Sequence, residues 1–308
     1  MNAIRTLSFV TAISTILTLC AEAQTEVKHK TWWSLRSIVK PTPPKINGLT
    51  NPIDAFLSEK LASRGLNFSP QASKRDLIRR ASFDLVGLPP STDDLQIDYH
   101  AYIDTLLASP HYGERWGRYW LDIVRYGETD GGEHNYERPN AWPYRDYVIQ
   151  AFNTDMPYDQ FIREQLAADI LYPSETKKLA ATGFLVSGPW DQVSAVLNKD
   201  PIMRMTSRMD ELDDMVTTTC ATFLGLTVNC ARCHDHKFDP IPSKDYYRMA
   251  AAFSGAGFGE RTIATAEEKR IYDTKTGPLR NELAKIEAKI ETLEGPVTSP
   301  LLLKKYIE

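Results

Sequence analysis

Several features are scarce in the sequence, and each scarcity excludes a class of protein. Four cysteines among 308 residues are too few for a disulfide scaffold to be the main source of stability. With 36 Lys and Arg against 40 Asp and Glu, the net charge of −4 provides no basic field for nucleic acid or an anionic membrane. The 16 Gly and 19 Pro show no low-complexity or collagen-like bias. What is present, 42% apolar and 25% charged residues, is typical of a globular chain of about two domains.

Long hydrophobic runs are also missing, and the apolar stretch at the N-terminus is short. Residues 7–20 are too few to span a bilayer comfortably, and a small-x-small sequence follows at residues 21–23. We interpret residues 1–23 as a signal peptide, which places the mature chain in the periplasm or outside the cell; an uncleaved membrane anchor is the alternative. Leu19 stands where lipoprotein processing calls for a small residue, so we expect no lipid anchor at Cys20.

Apolar residues recur at helical spacing through most of the chain, and no series of alternating, strand-like segments is present. We predict an extended, proline-rich arm over residues 24–50 and a helical domain over residues 51–258. Ser73 and Asp76 have the spacing of a capping box that begins one helix, and Thr92 is placed to cap the next. The predicted fold class is mainly α: an irregular helical domain with long loops and a coiled-coil-like C-terminal helix.

The tail over residues 259–308 differs in kind, because its apolar residues step by four and three among Lys and Glu. These apolar residues are Leu279, Leu283, Ile286, Ile290 and Leu293. So short a seam cannot stand alone, and we expect a helix partner for residues 279–293, from this chain or another. The sequence then stops without a helix cap, so we expect the tail to be the start of a truncated C-terminal region.

The strongest chemical signal is the segment Asn229-Cys230-Ala231-Arg232-Cys233-His234, which contains Cys-x-x-Cys-His. This is the attachment pattern of a c-type haem: two thiols bond to the vinyl groups on one porphyrin edge, and the following imidazole ligates the iron. We predict covalent haem c at Cys230 and Cys233, with His234 as the axial ligand. An exported location agrees, because haem is attached to such proteins outside the cytoplasm.

Two other chemistries fit the same residues. Cys230 and Cys233 could form a small disulfide, or one of them could pair with Cys220 and leave an odd thiol. Alternatively, Cys230, Cys233, His234 and His236 could bind zinc, although one short segment rarely supplies four tetrahedral ligands. The sequence leaves both a disulfide and a haem-free metal site open.

A haem iron at His234 has a sixth coordination position whose ligand the sequence does not identify. Met or His there supports electron transfer, whereas an open position allows small molecules to bind. The candidates are His111 and His134, together with Met203, Met205, Met209, Met215 and Met249.

Two groups of charged residues have no obvious place in a helical core. The long loop over residues 127–145 carries Glu128, Asp130 and Glu133, whose oxygens are suited to a cation. A second group, ahead of the Cys-x-x-Cys-His motif, consists of Arg208, Asp210, Glu211, Asp213 and Asp214. Either this second group is a solvated helix face, or it pairs with arginines or with the propionates of a haem.

The stretch over residues 230–241, Cys-Ala-Arg-Cys-His-Asp-His-Lys-Phe-Asp-Pro-Ile, resembles a family of secreted planctomycete cytochrome c-like domains of unknown function. Further blocks of resemblance lie at residues 77–90, 109–126, 153–165 and 210–226. The resemblance implies a cytochrome c-like domain over residues 51–258, with its haem site at Cys230, Cys233 and His234. In this family the domain usually lies between an N-terminal cytochrome-like module and a second C-terminal domain of unknown function. The resemblance implies no substrate or reaction.

Three functions are compatible with these observations, and the sequence leaves open whether the chain is an enzyme. The first is electron transfer by haem c within a larger redox or polysaccharide-processing system, with a redox partner or adjacent catalytic domain and no nucleic acid. The second is an enzyme acting on extracellular glycan, with the loop 128–145 lining the site, although spacing identifies no carboxylate pair. The third is a structural interaction module in which Cys-x-x-Cys-His is a disulfide or metal site.

Overall fold

The computed structural model of the protein describes residues 36–132 and 134–294. The predicted signal peptide with Cys20, most of the predicted arm, Glu133 and residues 295–308 lie outside the described residues. The chain divides into two compact units, Met1–Gln71 and Ala72–Glu308. Within the described ranges, no helix combines the length and the apolar character needed to cross a membrane.

The predicted fold class is confirmed, because the described residues are mainly α-helical and contain no strand, only an isolated antiparallel bridge between Thr129 and Glu137. The α-helices are α1 (Pro52–Ala62), α2 (Lys74–Leu85), α3 (Tyr99–Leu107), α4 (Pro110–Ile123), α5 (Trp142–Asn153), α6 (Tyr158–Leu171), α7 (Pro201–Thr219), α8 (Ser243–Ala252) and α9 (Ala266–Glu294). The 3₁₀ segments are Asp94–Gln96, Thr176–Val186 and Asn229–Arg232, and the π-helical turns are Val193–Leu197 and Cys220–Leu224. Helix α1 belongs to the first unit and the other helices to the second.

Side-chain caps mark the beginning of several helices. The Ser73 hydroxyl accepts a hydrogen bond from the Asp76 backbone N–H and donates to its carboxylate at 2.7 Å, which confirms the predicted capping box of α2. The predicted cap at Thr92 is wrong. Helix α3 begins after Asp98, whose carboxylate accepts from the backbone N–H groups of Ala101 and His100 and thereby satisfies the unpaired donors of the first turn. These hydrogen bonds hold the pKa of Asp98 below its usual value.

The largest buried cluster lies where α4, α5 and α6 meet the segment Thr176–Val186. The ring of Trp120 on α4 packs against Phe161 on α6 with centroids 4.8 Å apart, and its indole N–H donates to the Gln165 side-chain oxygen at 2.9 Å. The same oxygen accepts from the Tyr144 hydroxyl of α5 at 2.7 Å. The buried polar atoms of three helices therefore satisfy one another, which fixes how the helices are rotated in the core.

A second buried cluster holds the Cys-x-x-Cys-His segment. The turn Asn229–Arg232 packs between α7 and α8, where Ala231 is fully buried beside Val216 and Tyr246. The motif is therefore supported by two helices rather than carried on a free loop.

The predicted C-terminal helix is present as α9. Thr265 and Glu268 form a capping box at its start, and Pro278 lies within it. Every residue from 278 to 290 is exposed, so the apolar seam of α9 has no partner among the described residues.

Helices α4 and α5 approach each other most closely at Gly113. Its backbone N–H donates to the Asn153 side-chain oxygen at 2.7 Å. A Cβ added at Gly113 would collide with the carbonyl oxygen of Ile149 and lie 2.6 Å from the Asn153 Cγ. The absence of a side chain at this position is therefore what allows the two helices to pack.

We expect Gly113→Ala to destabilise the fold by about 1–3 kcal/mol, because the added methyl group forces the two helix backbones apart. In an unrestrained helix the same change stabilises by about 1 kcal/mol, so the sign of the effect tests the contact. The control is Gly255→Ala, where an added Cβ meets nothing within 4 Å. The urea midpoints of both variants measure the difference, and a Gly113→Ala midpoint at or above that of the parent chain would contradict the packing.

Candidate cofactor site

The backbone of the motif forms a tight turn that gathers its three chemical groups. The N–H groups of Cys233 and His234 both donate to the carbonyl oxygen of Cys230, each at 3.2 Å. The turn begins with the 3₁₀ segment Asn229–Arg232, whose Ala231 is directed into the core. Because the apolar residue between the cysteines faces inward, the two cysteines and the histidine are left at the surface.

The thiols of the motif are free and accessible in this structure. Cys230 and Cys233 are exposed, whereas Cys220 is buried in the cluster beneath them. Burial raises the pKa of the Cys220 thiol and makes it a poorer nucleophile. The two motif thiols, and not Cys220, are therefore in a position to react with a group brought from solution.

The imidazole of His234 has one nitrogen engaged and one available. Its Nδ1 lies 2.8 Å from the carbonyl oxygen of Asp235. A carbonyl oxygen only accepts hydrogen bonds, so this contact assigns a proton to Nδ1, and in the neutral form of the ring the lone pair is then on Nε2. An Nδ1–H bonded to a carbonyl, with Nε2 free, is the usual arrangement of a histidine that ligates a metal.

His236 has a different role, because its ring is turned inward and only 9% of the side chain is exposed. Its Nδ1 accepts from the backbone N–H of Asp239 at 3.0 Å, and its own backbone N–H donates to the carbonyl of Ile241 at 2.9 Å. These bonds close the loop that follows the motif. Across residues 36–132 and 134–294, no three His, Cys, Asp or Glu side chains form a group suited to hold a metal ion.

Arg232, between the two cysteines, ties the motif to α7. Its guanidinium donates to Asp210 at 2.7 Å and to Asp213 at 3.3 Å, and these contacts, the hydrogen bond to Asp210 first, raise the pKa of Arg232. Tyr246 of α8 donates its hydroxyl to Asp213, and Tyr247 donates to the carbonyl of Arg232 at 2.9 Å. The motif is thus held from both neighbouring helices by charged and hydroxyl groups.

Trp190 connects the loop that carries Asp130 to the charged group on α7. From the loop, Asp130 is bound by Arg138 at 2.6 Å, and its carbonyl oxygen accepts from the backbone N–H of Trp190. The Trp190 indole N–H donates to Glu211 of α7 at 2.8 Å, and Glu211 also accepts from Arg208 at 2.7 Å. The acidic residues of α7 pair with arginines, which is one of the arrangements that the sequence left open for this group.

A cleft with a volume of about 400 Å³ lies beside the motif's anchor. Its walls include Gly132 from the loop, Trp190 and Asp191, and the α7 residues Asp210 and Glu211. Asp210 also contacts Arg232, so the cleft and the Cys-x-x-Cys-His turn share a carboxylate.

The carboxylates predicted for a cation site in the loop are engaged separately. Glu128 pairs with Arg145 at 2.6 Å and accepts from the Tyr126 hydroxyl, while Asp130 is buried against Arg138. Burial and the nearby Glu128 raise the pKa of Tyr126. Glu133, the third predicted ligand, lies outside the described residues.

The predicted sixth ligands are dispersed over the described structure. His111 pairs through its Nδ1 with Glu114 at 2.8 Å, and the ring of His134 lies beside that of Tyr136. Met203 and Met205 are exposed, Met209 is half-buried and Met215 is buried. Met249 packs against the cluster that contains Ala231, which brings it to the motif from α8.

The fold and the site define a helical domain built around a surface Cys-x-x-Cys-His turn. The chain belongs to the family PSCyt2, described as a protein of unknown function (DUF1549), whose sequence profile matches residues 52–257. The matched span covers the motif and the cleft and ends before α9 begins. No curated protein and no solved structure matches the chain.

The residues outside the motif that support it and its neighbouring cleft were not predicted from the sequence. Tyr246, Tyr247 and Trp190 carry no recognisable pattern of their own. The sequence does contain a signal for Tyr246 and Tyr247. They lie shortly after the motif, on a segment of helical periodicity that begins after Pro242. Consecutive elements that are joined by a short connection are usually adjacent in space.

Asp213 and Asp210 both contact Arg232, yet only the first is enclosed. The Asp213 side chain is 21% exposed and also accepts from Tyr246, whereas the Asp210 side chain is 60% exposed. We expect Asp213→Ala to destabilise the chain by about 1–3 kcal/mol, because it leaves the buried Tyr246 hydroxyl without its acceptor and removes one of the two carboxylates that pair with Arg232. Asp210→Ala should cost less than about 1 kcal/mol. Urea unfolding of both variants measures the difference, and equal losses would contradict a central role for Asp213.

Proposed function

We propose that this chain is an exported domain that carries covalent haem c and transfers electrons within a larger redox or polysaccharide-processing system. The single observation that carries the proposal is the arrangement of the motif: Cys230 and Cys233 are exposed free thiols on one turn, and His234 follows with its Nε2 available. A redox partner or an adjacent catalytic domain would receive the electrons.

The donor set fits such a group on chemical grounds. Two accessible thiols followed by one imidazole are what c-type attachment requires, and the Asp235 carbonyl orients the His234 ring through Nδ1. When bound, haem supplies one-electron chemistry between ferric and ferrous iron. The resemblance of residues 230–241 to cytochrome c-like domains supports the same assignment, and location in the periplasm or outside the cell is part of the proposal.

The rest of the chain contributes rigidity to this turn. Arg232 and the α8 tyrosines hold the backbone between the cysteines, while His236 closes the loop behind it. Cysteines on a fixed turn keep a constant spacing, which two bonds to one rigid ring require. Electron transfer over repeated cycles also benefits from a rigid turn, since a site that does not rearrange keeps its redox properties constant.

The chain, co-expressed with the haem-attachment machinery, should show a haem absorbance band that survives denaturation. We expect Cys230→Ala and Cys233→Ala each to reduce covalent haem severely, because each removes one of the two bonds to the ring. His234→Ala should change the oxidised and reduced spectra through loss of the axial ligand.

Cys220→Ala is the matched control, since it removes a thiol that is buried and cannot reach a haem at the surface. It should retain the full haem band. A folded, colourless parent chain in which Cys230 and Cys233 both react rapidly with a thiol reagent would overturn the haem assignment.

A second candidate function, an enzyme acting on extracellular glycan, is favoured by the cleft. An aromatic wall at Trp190 beside the carboxylates of Asp191, Asp210 and Glu211 is suited to sugar hydroxyls, and the volume is within the range of small-molecule sites. Asp130 is not a candidate acid in it, because its carboxylate is bound to Arg138 inside the protein.

Activity on polysaccharide distinguishes the two candidates. Among the carboxylates of the cleft, Asp191 is exposed, whereas Glu211 is already paired with Arg208. If the cleft is catalytic, release of reducing sugar should be lost in Asp191→Asn and retained in Cys230→Ala, because the second variant leaves the cleft intact. If the chain is an electron carrier, Cys230→Ala should abolish reduction by an external electron donor while Asp191→Asn retains it. Sugar release and the reduced-minus-oxidised spectrum, measured on the same samples, give the answer.

A further inference from the structure

Helix α9 exposes an apolar seam that has the pattern of a coiled coil. Leu279, Leu283, Ile286, Ile290 and Leu293 are between 47% and 86% exposed. In heptad notation Leu283 and Ile290 are at a positions, and the other three are at d positions. A continuous row of large apolar side chains on one face of a helix marks an interaction surface.

The charges beside the seam decide which occupant and which orientation fit it. The e and g positions flank the a and d residues, and in a coiled coil they pair across the two helices. In α9, Glu282 and Lys289 are at g, whereas Arg280 and Glu287 are at e. All four side chains are exposed, although Arg280 lies 3.7 Å from Asp273 on its own helix.

A parallel pairing of two α9 helices puts like charges together. A g residue then faces the e residue five positions later in the other chain. Glu282 would face the partner's Glu287, and Lys275 would face the partner's Arg280. Only Lys289, near the C-terminal end of the helix, would face an acidic residue of the partner.

An antiparallel pairing in one register makes the flanking pairs complementary. Reversing one helix places a residues opposite d residues, and pairs g with g and e with e. The layers then join Leu279 with Ile290, Leu283 with Ile286 and Thr276 with Leu293, each across the two chains. In this register Glu282 faces the partner's Lys289, and Arg280 faces the partner's Glu287.

The neighbouring antiparallel registers do not give this result. A shift of one heptad in one direction places Lys289 against the partner's Lys289, and a shift in the other places Glu282 against the partner's Glu282. We therefore propose that α9 binds α9 of a second copy of this chain as an antiparallel coiled coil centred between Leu283 and Ile286. The surface is independent of the motif turn, so this inference does not depend on haem binding.

Sedimentation equilibrium of the purified chain, under reducing conditions that prevent disulfide cross-links, tests the proposal. We expect a monomer–dimer equilibrium, with Ile286→Asp monomeric and unchanged in helical circular dichroism. A chain that stays monomeric at about 0.1 mM would overturn the proposal.

A charge reversal distinguishes the two orientations. Glu282→Lys should weaken an antiparallel dimer about tenfold at low salt, because the introduced lysine faces the partner's Lys289 in both of the symmetry-related pairs. In a parallel dimer the same change would tighten association, because position 282 faces the partner's Glu287. Glu282→Lys combined with Lys289→Glu should restore the antiparallel dimer.

Lys285→Glu is the matched control. Glu282 and Lys285 are three residues apart on the same helix, so either change replaces an opposite-charge pair within the helix by a like-charge pair. Position 285 is a c position, however, and lies away from the seam. It should leave the dissociation constant within about twofold of the parent chain. Tighter association of Glu282→Lys, or failure of the double variant to recover, would overturn the antiparallel arrangement.

Discussion

The arrangement of the domain depends on how the carboxylates of α7 are neutralised. Asp213 and Asp214 are adjacent in sequence, yet they pair with arginines from distant segments: Arg232 of the motif and Arg125, which follows α4. Burial lowers the pKa of Arg125, which shows how weakly solvated that charge is. Both pairs are partly buried, and removing Asp214 would leave the Arg125 charge without its carboxylate, whereas Arg232 would keep Asp210. Helix α7 is thereby fixed in its rotation between the main core and the motif turn.

This constraint explains why a surface turn can have a fixed shape. Arg232 stands between Cys230 and Cys233, so the residue that anchors the turn belongs to the motif itself. The thiols remain at the surface because Ala231 and Arg232, the two residues between them, take up the contacts with the protein. Accessibility and rigidity are usually in conflict at a protein surface, and the motif combines them by assigning each to different residues.

Local signals predicted the helical fold and the motif, and failed where partners are distant. The capping box at Ser73 is contained within four residues, and it was predicted correctly. The cap predicted at Thr92 was wrong, because Asp98, a residue type that is also favoured at the N-cap, begins helix α3. The pairing of Arg125 with Asp214 joins residues far apart in the sequence, and the charge pattern of α7 alone is identical to that of a solvated helix face. Composition and periodicity carry no information about such pairs.

The family match and the apolar seam occupy separate parts of the chain, and different forces govern them. Residues 52–257 contain ion pairs that are partly buried and therefore weakly screened by salt, whereas α9 begins at Ala266, and the charges along its seam are exposed. The steps of four and three that define the seam have the same form in either chain direction, so apolar spacing alone does not choose an orientation. The order of the flanking charges does. Salt should therefore affect how α9 pairs much more strongly than it affects the shape of the motif turn.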